Sequence, residues 1–502
     1  VMSRLICVRW IGLITAAIAV TSLIAAPAAA QVAVGGNVGG GAFGGAFGGG
    51  GAVGGGAVGG QMGGQMGGQV GGGQIGGQNL GGIFVDAQGI IKPIFKPAKS
   101  AKLDQQRIEA LAQEHLPDDL NAFSAMRKVS LVRLEAACEE YAKQNKPPPP
   151  DMAYLAGLQR IDYVFVYPET GDLVIAGPAE GFAPDSAGRV IGLTTGRPPI
   201  RLDDLLVALR TTERDTVIGC SIDPVESRLA DLQRYLRRNS SPTSTAIAAA
   251  RYRQMAKIVG MQDVKVFGVP AESHFAQALV EADWRMKLVS MGLEKVQVRG
   301  FRTHLSMLRP QGNTMQRWWF TPLYENCYAT EDGLGYQLGG QRAQLLAQEE
   351  IAAASGQRSD AGSTRLTTQA YAQHFTEKFP ELAEEVPAFA ELQSLIDLAI
   401  VAALLRKERL PQKVGWSMSL FLDEDRAAVE TGPVPRQIPS STNYRMAGSR
   451  MVIGLIGGGI QINPLQTVRT IEFQQDDATR LEGVRTGAQP ANPPKDHSWW
   501  WD

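Results

Sequence analysis

The sequence predicts a mixed α/β fold, with strands alternating with helices, a central apolar helix near 388–409 and additional C-terminal strands. Three observations carry this. Between Ile161 and Val269, short runs rich in β-branched and aromatic residues alternate with longer helical patterns. From Ser273 to Met291, apolar residues recur at three- and four-residue spacing, as one helix face requires. Leu395 to Leu405 is apolar on nearly every side, which suits a helix enclosed by a core.

The elements follow in order. Ile83–Val85 and Ile90–Ile91 flank Asp86-Ala87-Gln88-Gly89 and read as strand, turn and strand. Leu103–Ala112 and Ala122–Ala142 have helical spacing, and Pro147 to Pro150 then stops any helix and stiffens the chain. Ile161–Tyr167 alternates, Glu169-Thr170-Gly171-Asp172 turns it and Leu173–Ala176 returns, a hairpin. A helix at Leu202–Arg210, a strand at Thr216–Cys220 and helices at Pro224–Arg238 and Thr245–Val259 come next, then a strand at Val264–Val269.

In the helix Ser273–Met291, Phe275, Ala278, Leu279, Ala282, Met286 and Val289 share one face. The pairs Glu281–Arg285 and Asp283–Lys287 take the other, and Gly292 ends the helix. Arg317–Thr321 is an aromatic strand. Pro380 and Pro387 each suit a first helical position, and the helix after Pro387 is the apolar one. Short strands return after Trp416.

Of 57 glycines in 502 residues, 27 lie between Gly35 and Gly82. The remaining 30 are about 6.6% of the rest, close to the usual share of about 7%. The chain is therefore a Gly tract joined to an ordinary body. With 49 basic and 50 acidic side chains its net charge is -1, which excludes a large nucleic-acid footprint. At 44% hydrophobic, global disorder is excluded too.

Arg4 and Arg9 precede the apolar run Trp10–Ala26, then Pro27 and the small residues Ala28 and Ala30. This pattern predicts a signal peptide over 1–30, cleaved after Ala30, with an uncleaved anchor as the alternative. Cys7 lies before the apolar run, the wrong side for a lipid-bearing cysteine. After cleavage no transmembrane span is expected, and Cys138, Cys220 and Cys327 remain, enough for one disulfide at most.

Residues 31–82 repeat GGAF, GGGAV and GGQM and predict a disordered tether of roughly 40 Å reach. Phe43, Phe47, Met62 and Met66 could instead act as adhesive points along it. The body then divides into an N-terminal segment (83–146), an α/β module (151–355), a helical plus β segment (364–480) and a flexible Pro/Trp tail (481–502).

Candidate chemistry is sparse. Cys220 at a strand end and His274 in a similar loop could form a nucleophile and base, but a buried structural thiol is the simpler reading. Asp223 is expected to cap the helix opening at Pro224. Gly454 and Gly457 to Gly459 resemble a nucleotide loop but run on into a strand, so a glycine-relieved strand is expected. His115, His274, His304, His374 and His497 are scattered, which predicts no metal centre. Glu139-Glu140, Glu349-Glu350 and Glu384-Glu385 are expected on solvated faces. Of Trp318 and Trp319, one should face the core, whereas Trp499 to Trp501 are the better binding candidates. No catalytic, cofactor-binding or metal residues are assigned, and no cofactor is expected.

The phrases GGIFVDAQGII, RPPIRLDDLLVALR, IGCSIDP, VFGVPAESHFAQALVEADWRMKLVSMGLE, RWWFTPLYE and GYQLGGQRAQLLAQEE resemble a bacterial exported family known as domain of unknown function 1598. EKFPELAEEVPAFAELQSLIDLAIVAALL and VPRQIPSSTNYR do so as well, and the likeness runs from about Gly81 to Asn463. The resemblance implies export and one long module but no activity. The sequence thus predicts a non-enzymatic cell-envelope or surface protein whose partner is an envelope protein or polysaccharide. The alternative is a secreted hydrolase or peptidase-like enzyme using Cys220 and His274.

Overall fold

The computed structural model describes residues 33–34, 83–85, 91–93 and 101–502, apart from 242, 310–312, 434–435, 448–449, 477–478 and 490–498. The predicted signal peptide, nearly all of the Gly tract, Cys7 and His497 lie outside the described residues.

The architecture is mixed α/β, built on two large sheets. The nine-stranded sheet runs Arg358–Asp360, Arg342–Ala352, Asn313–Leu323, Arg450–Ile462, Ile218–Pro224, Met261–Phe267 and Gln437–Pro439, with Ala33–Val34 and Thr442–Ala447 attached to its middle strands. Its pairings are antiparallel except between Asn313–Leu323 and Arg450–Ile462. The seven-stranded sheet runs Phe473–Gln475, Cys327–Ala329, Gly335–Gln337, Tyr163–Tyr167, Asp172–Ala179, Ser124–Ser130 and Trp500–Trp501. Each sheet draws strands from distant parts of the chain. One cluster of buried side chains accordingly runs from Ile108 to Trp499.

The central helix is Pro387–Lys407, opened by Pro387 at its first turn. Every residue from Ala388 to Leu405 is buried, and the helix contacts helices Leu202–Glu213, His274–Ser290, Leu366–Glu385 and Pro464–Thr470. It is long and apolar enough to cross a membrane, but here it is enclosed by protein. Of its two acids, Glu391 and Asp397, the fully buried Asp397 accepts from Arg342 at 2.8 Å, Tyr324 at 2.7 Å and the Ile161 amide, so the buried charge is compensated.

Several expectations need correction. Ala122–Ala142 is not one helix: Ser124–Ser130 is a strand paired with Asp172–Ala179, and the helix begins at Leu131 under a Ser130 cap. Pro380 lies inside the helix Leu366–Glu385 and opens nothing. Asp223 and Pro224 still belong to the strand Ile218–Pro224, and the next helix starts at Glu226 without a side-chain cap. The tail is docked at both described ends. Arg480–Ala488 is helical, Trp499 is buried, and Trp500 and Trp501 pair with Val129 and Lys128. Arg127 and Arg133 lie over the Trp500 and Trp501 rings, so these aromatics hold the fold together and offer no free binding cluster.

Candidate functional site

Most of the motifs singled out in the sequence meet at the centre of the nine-stranded sheet. Ladder partners join Trp318 to Gly458, Trp319 to Gly459, Gly459 to Ser221 and Ile460 to Cys220. The glycines are required by proximity. Gly458 has φ +128, and a Cβ there would lie 1.6 Å from the Trp318 carbonyl oxygen; one at Gly459 would lie 1.9 Å from that of Cys220. The run is a glycine-relieved strand, as expected, and not a phosphate loop.

One face of this sheet is closed. Trp318, Phe320, Ile222 and Cys220 point inward; helix His274–Ser290 packs over the strand with Ile222 and Cys220, while Tyr371, Phe375 and Phe379 of helix Leu366–Glu385 lie against Trp318 and Phe320. That helix has good local reasons to form: Ser273 caps it through the Ala276 amide and Gly292 follows its end at φ +67. Its charged side is also interior. Lys287 Nζ sits 2.7 Å from Asp283 Oδ2 and donates to the Ile222 and Gly458 carbonyls. Farther along, Glu281 pairs with Arg189 at 2.6 Å, and Arg189 also pairs with Glu391.

The opposite face carries a second charged group. Arg317 approaches Glu350 at 3.7 Å and Arg358 approaches Asp223 at 3.3 Å. Glu349 and Glu350 are buried on the strand Arg342–Ala352, contrary to the solvated placement expected of them. The two point to opposite faces of the sheet: Glu349, on the side of Trp318, accepts from Arg365 and Thr368 at 2.7 Å each, while Glu350 lies on the side of Arg317. Burial pushes Glu350 up to about 7, against the pull of Arg317 and Arg358. Burial also pushes Asp283 up to about 6, against Lys287. Glu139-Glu140 and Glu384-Glu385 do lie on helices at or near the surface.

Cys220 is buried in mid-strand, and desolvation raises its thiol well above the ordinary value. Asp283 and Lys287 are among the charged groups that act on it. His274 instead hydrogen-bonds Asp204 through Nδ1 at 2.8 Å, a partner the sequence did not suggest. Cys220 thus has the surroundings of an inert structural thiol. Cys138 and Cys327 are likewise buried and free, and burial raises both. His304 is buried between Trp318 and Tyr371, His374 accepts from the Arg302 amide, and His115 is exposed. Among the described residues no group of His, Cys, Asp and Glu could hold a metal ion.

A family model described as a protein of unknown function (DUF1598) matches residues 220–303. The match spans the strand with Cys220, the helices at 226–259 and the helix with Asp283 and Lys287, so the chain resembles that family across one side of this site. No curated protein and no solved structure matches the chain.

Proposed function

We propose that this is an exported, non-enzymatic protein that works by binding in the cell envelope or at the cell surface, its body carried on the Gly-rich lead-in. The observation that carries this reading is the order of segments at the start of the chain. A basic start, a 17-residue apolar run and an Ala-x-Ala exit precede 48 residues of near-repeats. Support also comes from the charged groups within the body, which are committed to one another. Lys287 with Asp283, Arg342 with Asp397 and Arg189 with Glu281 form interior pairs, as scaffolding groups do.

The rival hydrolase reading needs an accessible thiolate, and Cys220 is 2% exposed with a raised pKa. It gains no observation in its favour. The test is fractionation of cells expressing the full chain and a variant lacking 35–82, with crosslinking to envelope components. Recovery in the envelope fraction, weakened or mislocalised without the tract, is the expected result. A body that stays soluble and partner-free with or without the tract would sink the reading.

A further inference from the structure

The helices Glu226–Arg238 and Thr245–Val259 form a hairpin over the sheet face opposite helix His274–Ser290. Their inner sides bury Leu229, Leu232, Met255 and Val259 against Met315 and Leu455 of the sheet. Their outer sides are basic. Residues 226–259 hold seven Arg and Lys against two Asp and Glu, a net of +5, so the rest of a chain totalling -1 carries -6. Arg228, Arg234, Arg237, Arg238, Arg253 and Lys257 are exposed. Asp231 pairs with Arg234 at 2.6 Å, but among the described residues the other five have no ion-pair partner. Arg234–Arg238 and Arg253–Lys257 are like-charged pairs at i,i+4, which destabilise a helix unless counter-charge meets them.

The tip of the hairpin adds an apolar point. Arg251 donates to the Asn239 and Ser241 carbonyls at 2.8 and 2.7 Å and so pins the connection between the helices. This sets Arg237 and Arg238, in the last turn of the first helix, near Ile247 in the first turn of the second. Ile247 is 52% exposed. On the two helices no aromatic side chain is exposed, because Tyr235 and Tyr252 pack with the apolar cluster beneath. A single-stranded nucleic acid would find charge here without a stacking surface, and against a duplex backbone Ile247 would gain nothing. The core of a protein interface is poor in charge, which this face is not. A phospholipid surface suits both features. Its phosphates, spread in a plane, meet cations without fixed register, and an apolar side chain among them reaches the acyl boundary.

We propose that the outer face of this hairpin docks on a membrane surface rich in anionic phospholipid, with Ile247 entering the headgroup layer. Each exposed Arg or Lys gains from the negative potential of such a surface, while the -6 borne by the rest of the chain turns its other sides away. This deepens the envelope-binding reading by naming the envelope component, and rests on it only for the setting in which a membrane is met.

The test is flotation with vesicles of phosphatidylcholine alone or mixed with phosphatidylglycerol, using the chain from Gln31 onward. That form lacks the apolar run Trp10–Ala26, which would enter any vesicle, and keeps every described residue. Flotation with the anionic vesicles only, weakened by added salt, is expected. The triple variant Arg237→Gln, Arg238→Gln, Arg253→Gln should lower the affinity about a hundredfold, roughly fivefold per cation, with unchanged circular dichroism. Ile247→Ser should lower it by roughly threefold or more on the same vesicles. Any of four results would overturn the proposal: equal flotation with both kinds of vesicle or with neither, full flotation of the triple variant, full flotation of Ile247→Ser, or retention by duplex DNA or polygalacturonate in preference to the anionic vesicles. Envelope fractionation is read on deletion of 35–82 and does not touch these residues. A protein found in the envelope that ignores anionic vesicles would lose only this surface, and vesicle binding by a body that fractionates as soluble would count against the envelope reading alone.

Discussion

Lys287 Nζ lies 2.7 Å from Asp283 Oδ2, one helical turn away, and neither side chain has exposed surface. The ammonium also reaches two strand carbonyls, so it fastens helix His274–Ser290 to adjacent strands of the sheet. Removing the cation leaves a buried carboxylate whose Oδ1 already lacks a partner. Lys287→Met should therefore destabilise the fold by about 3–5 kcal/mol, measured by urea unfolding. Pairing it with Asp283→Leu should recover much of that loss, because no uncompensated charge remains.

Glu350 titrates near 7 when folded, against an ordinary value of 4.5. The folded protein holds this proton more tightly than the unfolded chain. The stability it contributes is complete below about pH 4.5 and is lost as the pH rises through about 7. Glu350→Gln should flatten the decline of unfolding free energy across that window. A decline of unchanged slope would contradict this.

His304 produces the opposite dependence. Burial between Trp318 and Tyr371 lowers it from 6.5 to about 3. Its contribution is present above about pH 6.5 and is lost as the pH falls toward 3. His304→Phe should lessen acid sensitivity in thermal melts between those limits, whatever its effect at neutral pH.

Glycine substitutions should divide by location. At Gly458 an added methyl meets the Trp318 carbonyl, and φ +128 is a conformation alanine resists. Gly458→Ala should cost more than about 4 kcal/mol or abolish soluble expression. Gly483 lies in the helix Arg480–Ala488 with open space around it. Gly483→Ala should stabilise by about 0.5–1 kcal/mol, read as a rise in melting temperature.

The docked segment Trp499–Asp502 should be equally sensitive. Arg127 has no exposed side-chain surface and holds Asp502 through two bonds of 2.9 Å. Asp502→Ala should lower stability by about 2 kcal/mol and speed proteolysis between Ala488 and Trp499. Unchanged digestion would show that the segment stays in place without this pair.

Legibility followed the range of the forces involved. Thr245–Val259 was read to the residue, and Ser273–Met291 within one residue at each end, because spacing and caps are local. Ser124–Ser130 was misread because its strand state depends on Asp172–Ala179, more than forty residues on in the chain. The Glu350 surroundings were missed for a related reason. Adjacent glutamates look solvated until Arg317, Arg358 and the edge strand Arg358–Asp360 close around them. No sequence signal marked Asp204 as the partner of His274, seventy positions away.

By itself the sequence determined the mixed α/β class, the enclosed helix after Pro387 and the glycine-relieved strand, since periodicity, burial and backbone freedom are written residue by residue. Only the tertiary structure decided that Cys220, Trp318, Trp319, Asp223 and Glu350 converge on one sheet, and that the thiol is sealed. Ladder register between strands more than a hundred residues apart is a global property, settled by which pairings bury the most apolar surface and leave the fewest charges unmatched.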